Sequence, residues 1–196
     1  MTAQLSVIFC VDQLRQRAER CLSSILAQDN SDDIEIIIVE LAPVGTPPLM
    51  GSHPNIKYIH PSPVGRTFGT VRADAVRATS APIVAFVEEH SVVAQGWAKA
   101  LIHAYELGDW AGVGSEMQTL NPNQGVSSWI EPLSYMRWYA PNKAGITDII
   151  AGSNSSYRRD ILLRYDDQLA TLLEADILLQ WRLKADGYTL YLEPES

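Results

Sequence analysis

The stretch Pro82-Ile83-Val84-Ala85-Phe86-Val87-Glu88-Glu89-His90 constrains this chain more than any other. Ile83 to Val87 is an unbroken apolar run, short and rich in β-branched and aromatic residues. Such a run reads as a strand buried on both faces, the centre of a mainly parallel sheet. It then stops on ionisable residues, Glu88, Glu89 and His90. In open α/β sheets, ligands bind beyond the carboxyl ends of the strands. Two carboxylates and an imidazole at that edge suit a divalent cation or a sugar hydroxyl. By position alone, an ordinary solvated exit from strand to loop reads the same way.

The flanking sequence supplies the rest of an α/β pattern. Leu5 to Val11 and Ile34 to Glu40 are further buried strands, and Asn55 to His60 is a short one. Between the first two, Leu14, Ala18, Cys21, Leu22 and Ile25 share one face of a helix over 13–28, which Asp12 is placed to cap. A second helix over 66–79 turns Phe68, Val71, Ala75 and Ala78 inward, and a third over 94–106 does the same with Trp97, Leu101 and Tyr105. Trp110 to Met117 reads as a strand, followed by a polar loop over 118–125. Val126 to Pro141 is dense in aromatics (Trp129, Tyr135, Trp138, Tyr139), which suits a core helix or a flap that stacks on a sugar. Asp148 to Tyr157 reads as a strand whose small polar interior, Gly152-Ser153-Asn154-Ser155-Ser156, predicts close passage by a ligand. A helix opens after it and runs to Tyr165. A last helix over 172–186 stops at Gly187, and a strand from Tyr188 to Leu192 follows. Glu174 and Asp176 fall in the first turn of that helix, where its dipole favours carboxylates.

Composition narrows the function. With 196 residues and 46% hydrophobic content the chain suits one domain with a full core. A formal net charge of -8 argues against nucleic acid and anionic lipid as partners, though not against a single nucleotide in a local site. Cys10 and Cys21 have no metal-like spacing and read as buried thiols, which suits a reducing compartment. No signal peptide and no run long enough to cross a bilayer is visible. The expected location is the cytoplasm, with the inner face of a membrane left open.

The order of these pieces resembles the family 2 glycosyltransferases, over nearly the whole chain. Leu5-Ser6-Val7-Ile8 and the helix with Cys21-Leu22-Ser23-Ser24-Ile25-Leu26-Ala27-Gln28 look like the family's opening. Ile34 to Glu40 looks like its second strand, with Glu40 where the family has a base-recognising Asp. Gly65 and Arg72 match its Gly and Arg before the fourth strand, while Ala73 replaces an Asn. Phe86-Val87-Glu88-Glu89-His90 stands at the family's Asp-x-Asp motif, as Glu-x-His. Gly152-Ser153-Asn154 with Arg158-Arg159 resembles its Gly-x-Asn segment. Leu183, Gly187, Tyr188 and Glu193-Pro194-Glu195 resemble its closing helix and strand. Counting back from Arg182 puts Asp176 on the catalytic Asp, with Ala175 replacing the Glu beside it.

The resemblance implies the GT-A fold and inverting transfer of a sugar from a nucleotide-diphosphate donor to an acceptor hydroxyl. It implies Asp176 as the base, and Val11, Glu40 and Arg72 as nucleotide contacts. Glu88 and His90 would serve a divalent metal, Mn or Mg; Glu89, Asn154 and Glu174 would lie near donor or acceptor. Glu174 and Asp176, two residues apart on one helix, would be separated by roughly 200° of rotation and so could not share a site. Asp176→Asn should then spare the melting temperature. Family members usually continue past the last strand with acceptor- and metal-binding segments, so those are expected to lie outside residues 1–196. Glu-x-His, Ala73 and Ala175 also fit a relative that binds nucleotide or sugar without turnover, and an interaction domain that keeps only the fold stays open as well.

Overall fold

The structure, a computed structural model, describes residues 3–120 and 136–196. Eight strands form one sheet: β1 (Leu5–Val11), β2 (Ile34–Glu40), β3 (Ile56–Ile59), β4 (Ile83–Val87), β5 (Gly112–Ser115), β6 (Gly145–Thr147), β7 (Asn154–Arg158) and β8 (Leu190–Glu193). Their order across the sheet is β3-β2-β1-β4-β7-β5-β8-β6. The half from β3 to β4 is parallel throughout. β7 then runs antiparallel between β4 and β5, and β6 antiparallel against β8.

β4 shows why the apolar run is unbroken. Ile83, Ala85 and Val87 face one core, with Ala18, Cys21, Leu22 and Ile25 of α1 (Arg15–Leu26) and Trp97 and Leu101 of α3 (Trp97–Glu106). Val84 and Phe86 face the other, with Val71, Ala75 and Val76 of α2 (Phe68–Ala78) and residues of three later helices. Those are α4 (Arg159–Arg164), α5 (Leu169–Leu172) and α6 (Asp176–Ala185). Alternate residues thus leave water on opposite faces, each large one contributing about 1.5–3 kcal/mol by burial. A polar residue anywhere in the run would meet a core.

Several sequence expectations change. α1 starts at Arg15 and Leu14 holds its cap position without a side-chain bond, so Asp12 is no cap. Phe68 is 45% exposed rather than turned inward, because it lies over a charged neighbour described below. The 148–157 run pairs as a strand only from Asn154; the three-residue β6 was not read at all, being short and carrying Ile146 into solvent. The final helix, expected over 172–186, starts four residues later, and only Leu172 of its expected span belongs to the short helix before it. The chain leaves α5 after Leu172, Ala175 is extended (φ −143°, ψ 130°), and α6 begins at Asp176. Nothing in the local sequence breaks the helix. Tertiary packing overrides propensity, since Leu169, Leu173, Leu179 and Leu183 are all buried in the same core. Of the aromatic segment, Trp129 and Tyr135 lie outside the described residues. Trp138 closes a 3₁₀ turn over 136–138 and Tyr139 forms a bridge with Met117.

Candidate active site

β1 and β2 end side by side. Val11 and Glu40 are register partners, and the Leu41 amide donates to the Val11 carbonyl at 2.8 Å. Glu40 is buried, and a buried carboxylate needs compensation. Arg15, in the first turn of α1, provides it: its Nη1 lies 3.1 Å from both Glu40 oxygens, while its Nη2 donates to the Pro47 carbonyl. The Ala42 amide adds a third donor at 3.3 Å. A loop, a helix start and a strand end are thereby fixed around one negative group.

The chain leaves β4 at Val87. The Glu88 amide donates to the Ser153 carbonyl at 3.3 Å, and the Ser91 amide returns to the Glu88 carbonyl at 2.9 Å. This tight exit brings Glu88 and His90 together, Nε2 to Oε2, at 3.1 Å. The hydrogen bond from His90 holds the Glu88 carboxyl below its usual range against the opposing effect of burial. The same bond raises the His90 imidazole above its usual value. Both line a cavity of about 150 Å³ with Ser91, Glu116, Ser153 and Asn154. Asn154 is the register partner of Val87, and its Oδ1 accepts from the Trp97 indole at 3.3 Å.

Among the described residues no group of three or more His, Cys, Asp or Glu side chains could hold an ion unaided. A carboxylate and an imidazole, both partly exposed, fit an ion that takes its remaining ligands from a diphosphate and water.

Behind Glu88 lies a second, smaller cavity of about 30 Å³, lined by Cys10, Phe68, Arg72, Phe86, Glu88 and Glu89 among others. Burial pushes the Cys10 thiol up to about 11 despite the Arg72 charge, so it is an unreactive wall. Arg72 is only 5% exposed. Its guanidinium carbon sits 4.0 Å from the Phe68 ring centroid and 4.9 Å from that of Phe86, an arrangement worth about 0.5–2 kcal/mol per ring. Its Nη1 donates to Asp176 Oδ1 at 2.6 Å.

Two close approaches permit that bond. At Gly69 a Cβ would lie 2.9 Å from the Glu174 amide nitrogen, so α2 can seat against the 170–174 backbone only without a side chain there. At Gly152 a Cβ would come 2.5 Å from the Asp176 carboxyl carbon. Asp176 is also the first residue of α6, where the helix dipole favours an anion. Glu174 is outside that helix and is engaged elsewhere, as acceptor from the Thr67 hydroxyl that caps α2.

The expected residues therefore fall into three groups on one sheet edge. Val11 and Glu40 sit at one end, Glu88, Glu89, His90 and Asn154 in the middle, and Asp176 with Arg72 beneath. Arg72, expected at the nucleotide, has its guanidinium on Asp176. The reason given for separating Glu174 from Asp176 fails, since no common helix carries them, although they bond different partners, Thr67 and Arg72. One residue was missed. Gln180 is 1% exposed and bonds both backbone groups of Ile150, donating from Nε2 at 2.9 Å and accepting at Oε1 at 3.0 Å. It anchors the segment leading to Gly152. Its signal was a lone amide four positions after Asp176, on the same helix face.

The sequence matches the family described as Glycosyl transferase family 2 over residues 6–165, which takes in Glu40, Arg72, Glu88, His90 and Asn154 but not Asp176. No curated protein sequence matches it. Among solved structures the chain is similar to TarS 1-349 of S. aureus, at 15% identity and a TM-score of 0.68, over 98% of this chain and 58% of that one. It is also similar to the mannosyltransferase PcManGT of Pyrobaculum calidifontis, solved with GDP-Man and Mn2+. There the identity is 18% and the TM-score 0.69, over 100% of this chain and 56% of that one. This chain thus spans 58% and 56% of the lengths of those two chains. At such identity the likeness concerns the fold, which is the GT-A fold. With the family matched from residue 6 to residue 165, the chain belongs to glycosyl transferase family 2.

Proposed function

We propose that this chain binds a nucleotide-diphospho-sugar and transfers the sugar, with inversion, to an acceptor hydroxyl. The observation that carries this reading is the convergence on one sheet edge of Glu40, the Glu88–His90 pair and the Asp176–Arg72 pair. Family membership and the donor and metal bound by PcManGT support it.

In this reading Glu40, beside the Val11 backbone, accepts an N–H of the nucleobase. Arg15 donates to both Glu40 oxygens and leaves further acceptor capacity on them. Glu88 and His90 hold Mn or Mg, which when bound offsets negative charge on the leaving diphosphate. Asn154 and Glu89 border the sugar. Asp176 takes the proton of the acceptor hydroxyl as that oxygen attacks the anomeric carbon opposite the leaving diphosphate. A placed general base contributes about a hundred- to ten-thousandfold.

The test is calorimetry of GDP and UDP with Mn, with Mg and with neither, followed by release of nucleoside diphosphate from the matching nucleotide-sugar. Metal-enhanced binding with donor turnover supports the reading. Binding without turnover would make the chain a nucleotide-binding relative, and no binding at all would remove the transferase reading.

A further inference from the structure

Resting on the transferase reading, we propose that Arg72 is a positioning residue: it fixes the Asp176 carboxylate in place and does not bind the nucleotide. Its surroundings make it a held cation. It is buried, its guanidinium lies between the Phe68 and Phe86 rings, and its 2.6 Å bond ends on Asp176 Oδ1. A buried guanidinium without a partner is strongly unfavourable, so the pair resists separation. To reach a nucleotide Arg72 would have to leave both rings and uncover the carboxylate.

Asp176 in turn needs an outside support. The extended Ala175 precedes it, so α6 begins at Asp176 itself and no earlier helical turn sets its direction. Gly152 leaves the space in which its carboxylate lies, and Gly69 lets α2 come close enough for Arg72 to reach. The bond joins residues 104 apart in sequence and is made through one guanidinium nitrogen and one carboxylate oxygen. Other acceptor positions on Asp176 stay available for a substrate proton. Arg72 thereby acts on the reaction through Asp176.

The test uses Arg72→Met, Arg72→Lys, Asp176→Asn and the Arg72→Met/Asp176→Asn double variant. Turnover is read as release of nucleoside diphosphate from a nucleotide-sugar, with water as acceptor; affinity is read by calorimetry with GDP and UDP. Loss of about an ångström in the placing of a catalytic group costs up to about a hundredfold. Arg72→Met should lower kcat about tenfold to a hundredfold and leave KM and the nucleotide Kd unchanged within about twofold. In the Asp176→Asn background it should lower kcat no further. Arg72→Lys, which keeps a cation, should recover part of the loss. Losses that multiply in the double variant, or a nucleotide Kd that rises as kcat falls, would overturn the inference. If Arg72→Met does not fold, Arg72→Lys decides: lower kcat at unchanged Kd supports the inference, raised Kd at unchanged kcat overturns it. If the parent binds neither GDP nor UDP, the transferase reading falls and this inference with it. Binding with multiplying losses sinks this inference alone.

Discussion

The Asp176 carboxylate occupies the space that a side chain on Gly152 would fill. Residue 152 is therefore a packing surface for Asp176, the proposed base. A methyl group there must push Asp176 off its position or shift the backbone that Gln180 anchors at Ile150. Overpacking of this kind costs typically about 1–3 kcal/mol. Gly152→Ala is expected to lower transfer about a hundredfold through misplacement of the base, with nucleotide affinity retained. Parallel measurement of donor turnover and GDP or UDP affinity checks it. A variant that turns over normally would show that Asp176 adjusts freely and that its placement is not critical.

Asp176→Asn should cost at least about a hundredfold in turnover, and Glu174→Gln far less. The structure also changes what the first substitution does to stability. The sequence alone suggested no cost, but the asparagine leaves a buried guanidinium without its anion. Breaking a fully buried pair costs about 3–5 kcal/mol. With the Asp176 side chain 28% exposed, a loss of about 1–3 kcal/mol is expected here. Melting curves of Asp176→Asn and Arg72→Met should both fall, and the double variant should be less unstable than the sum of the two. Should Glu174→Gln prove the more damaging to turnover, the base is misassigned.

The Glu88–His90 pair predicts a window in pH. The His90 imidazole is raised above its ordinary 6.5 by its hydrogen bond to Glu88, so its contribution to stability is complete below 6.5 and fades as pH climbs through the raised value. The Glu88 carboxyl is depressed below its ordinary 4.5, so its contribution is complete above 4.5 and fades as pH falls through the lowered value. Both hold fully between 4.5 and 6.5. The pair is partly exposed and contributes less than about 1 kcal/mol, a shift of at most about 2–4 °C in melting temperature. The difference in melting temperature between the parent and His90→Gln should be largest in that window and shrink above it. A difference independent of pH would mean the pair is not formed in solution.

How much of this was legible follows from range. The β4 run announced itself because alternate residues meet two cores, and both demand apolar side chains. That Glu40, Glu88 and His90 share an edge was legible because Glu40 ends β2 while Glu88 and His90 follow the end of β4, and in a parallel sheet strand ends lie together. The bond from Arg72 to Asp176 was not, since it depends on Gly69 and Gly152, whose lack of a side chain carries no sign of what approaches them. The break at Ala175 was hidden for the opposite reason. Residues 172–186 keep a helical pattern through it, and only the packing of Leu169 and Leu173 against the same core explains the turn. β6 was missed because three residues are too few for any period to show.

β2 offers an internal comparison, because it carries a buried glutamate near each end. Glu35, near its amino end, accepts from the Ser6 hydroxyl at 2.6 Å, the Lys57 ammonium at 2.7 Å and the Ser80 amide at 2.7 Å. Burial opposes its ionisation, yet those hydrogen bonds outweigh burial and hold its carboxyl below the usual range. It fastens β1, β3 and the turn before β4 to β2, at the edge opposite the ligands. Glu40, at the carboxyl end, is compensated by Arg15 and faces the proposed nucleobase position. The two should separate stability from binding. Glu35→Gln is expected to lower the melting temperature and leave GDP or UDP affinity alone. Glu40→Gln removes a charge-assisted hydrogen bond to the base, worth about 1.5–3 kcal/mol, and so should weaken nucleotide binding by tenfold or more. Calorimetry and melting curves on the two variants give both readings. If Glu35→Gln weakens binding as much as Glu40→Gln, the loss comes from a loosened sheet, and Glu40 is no base-recognition residue.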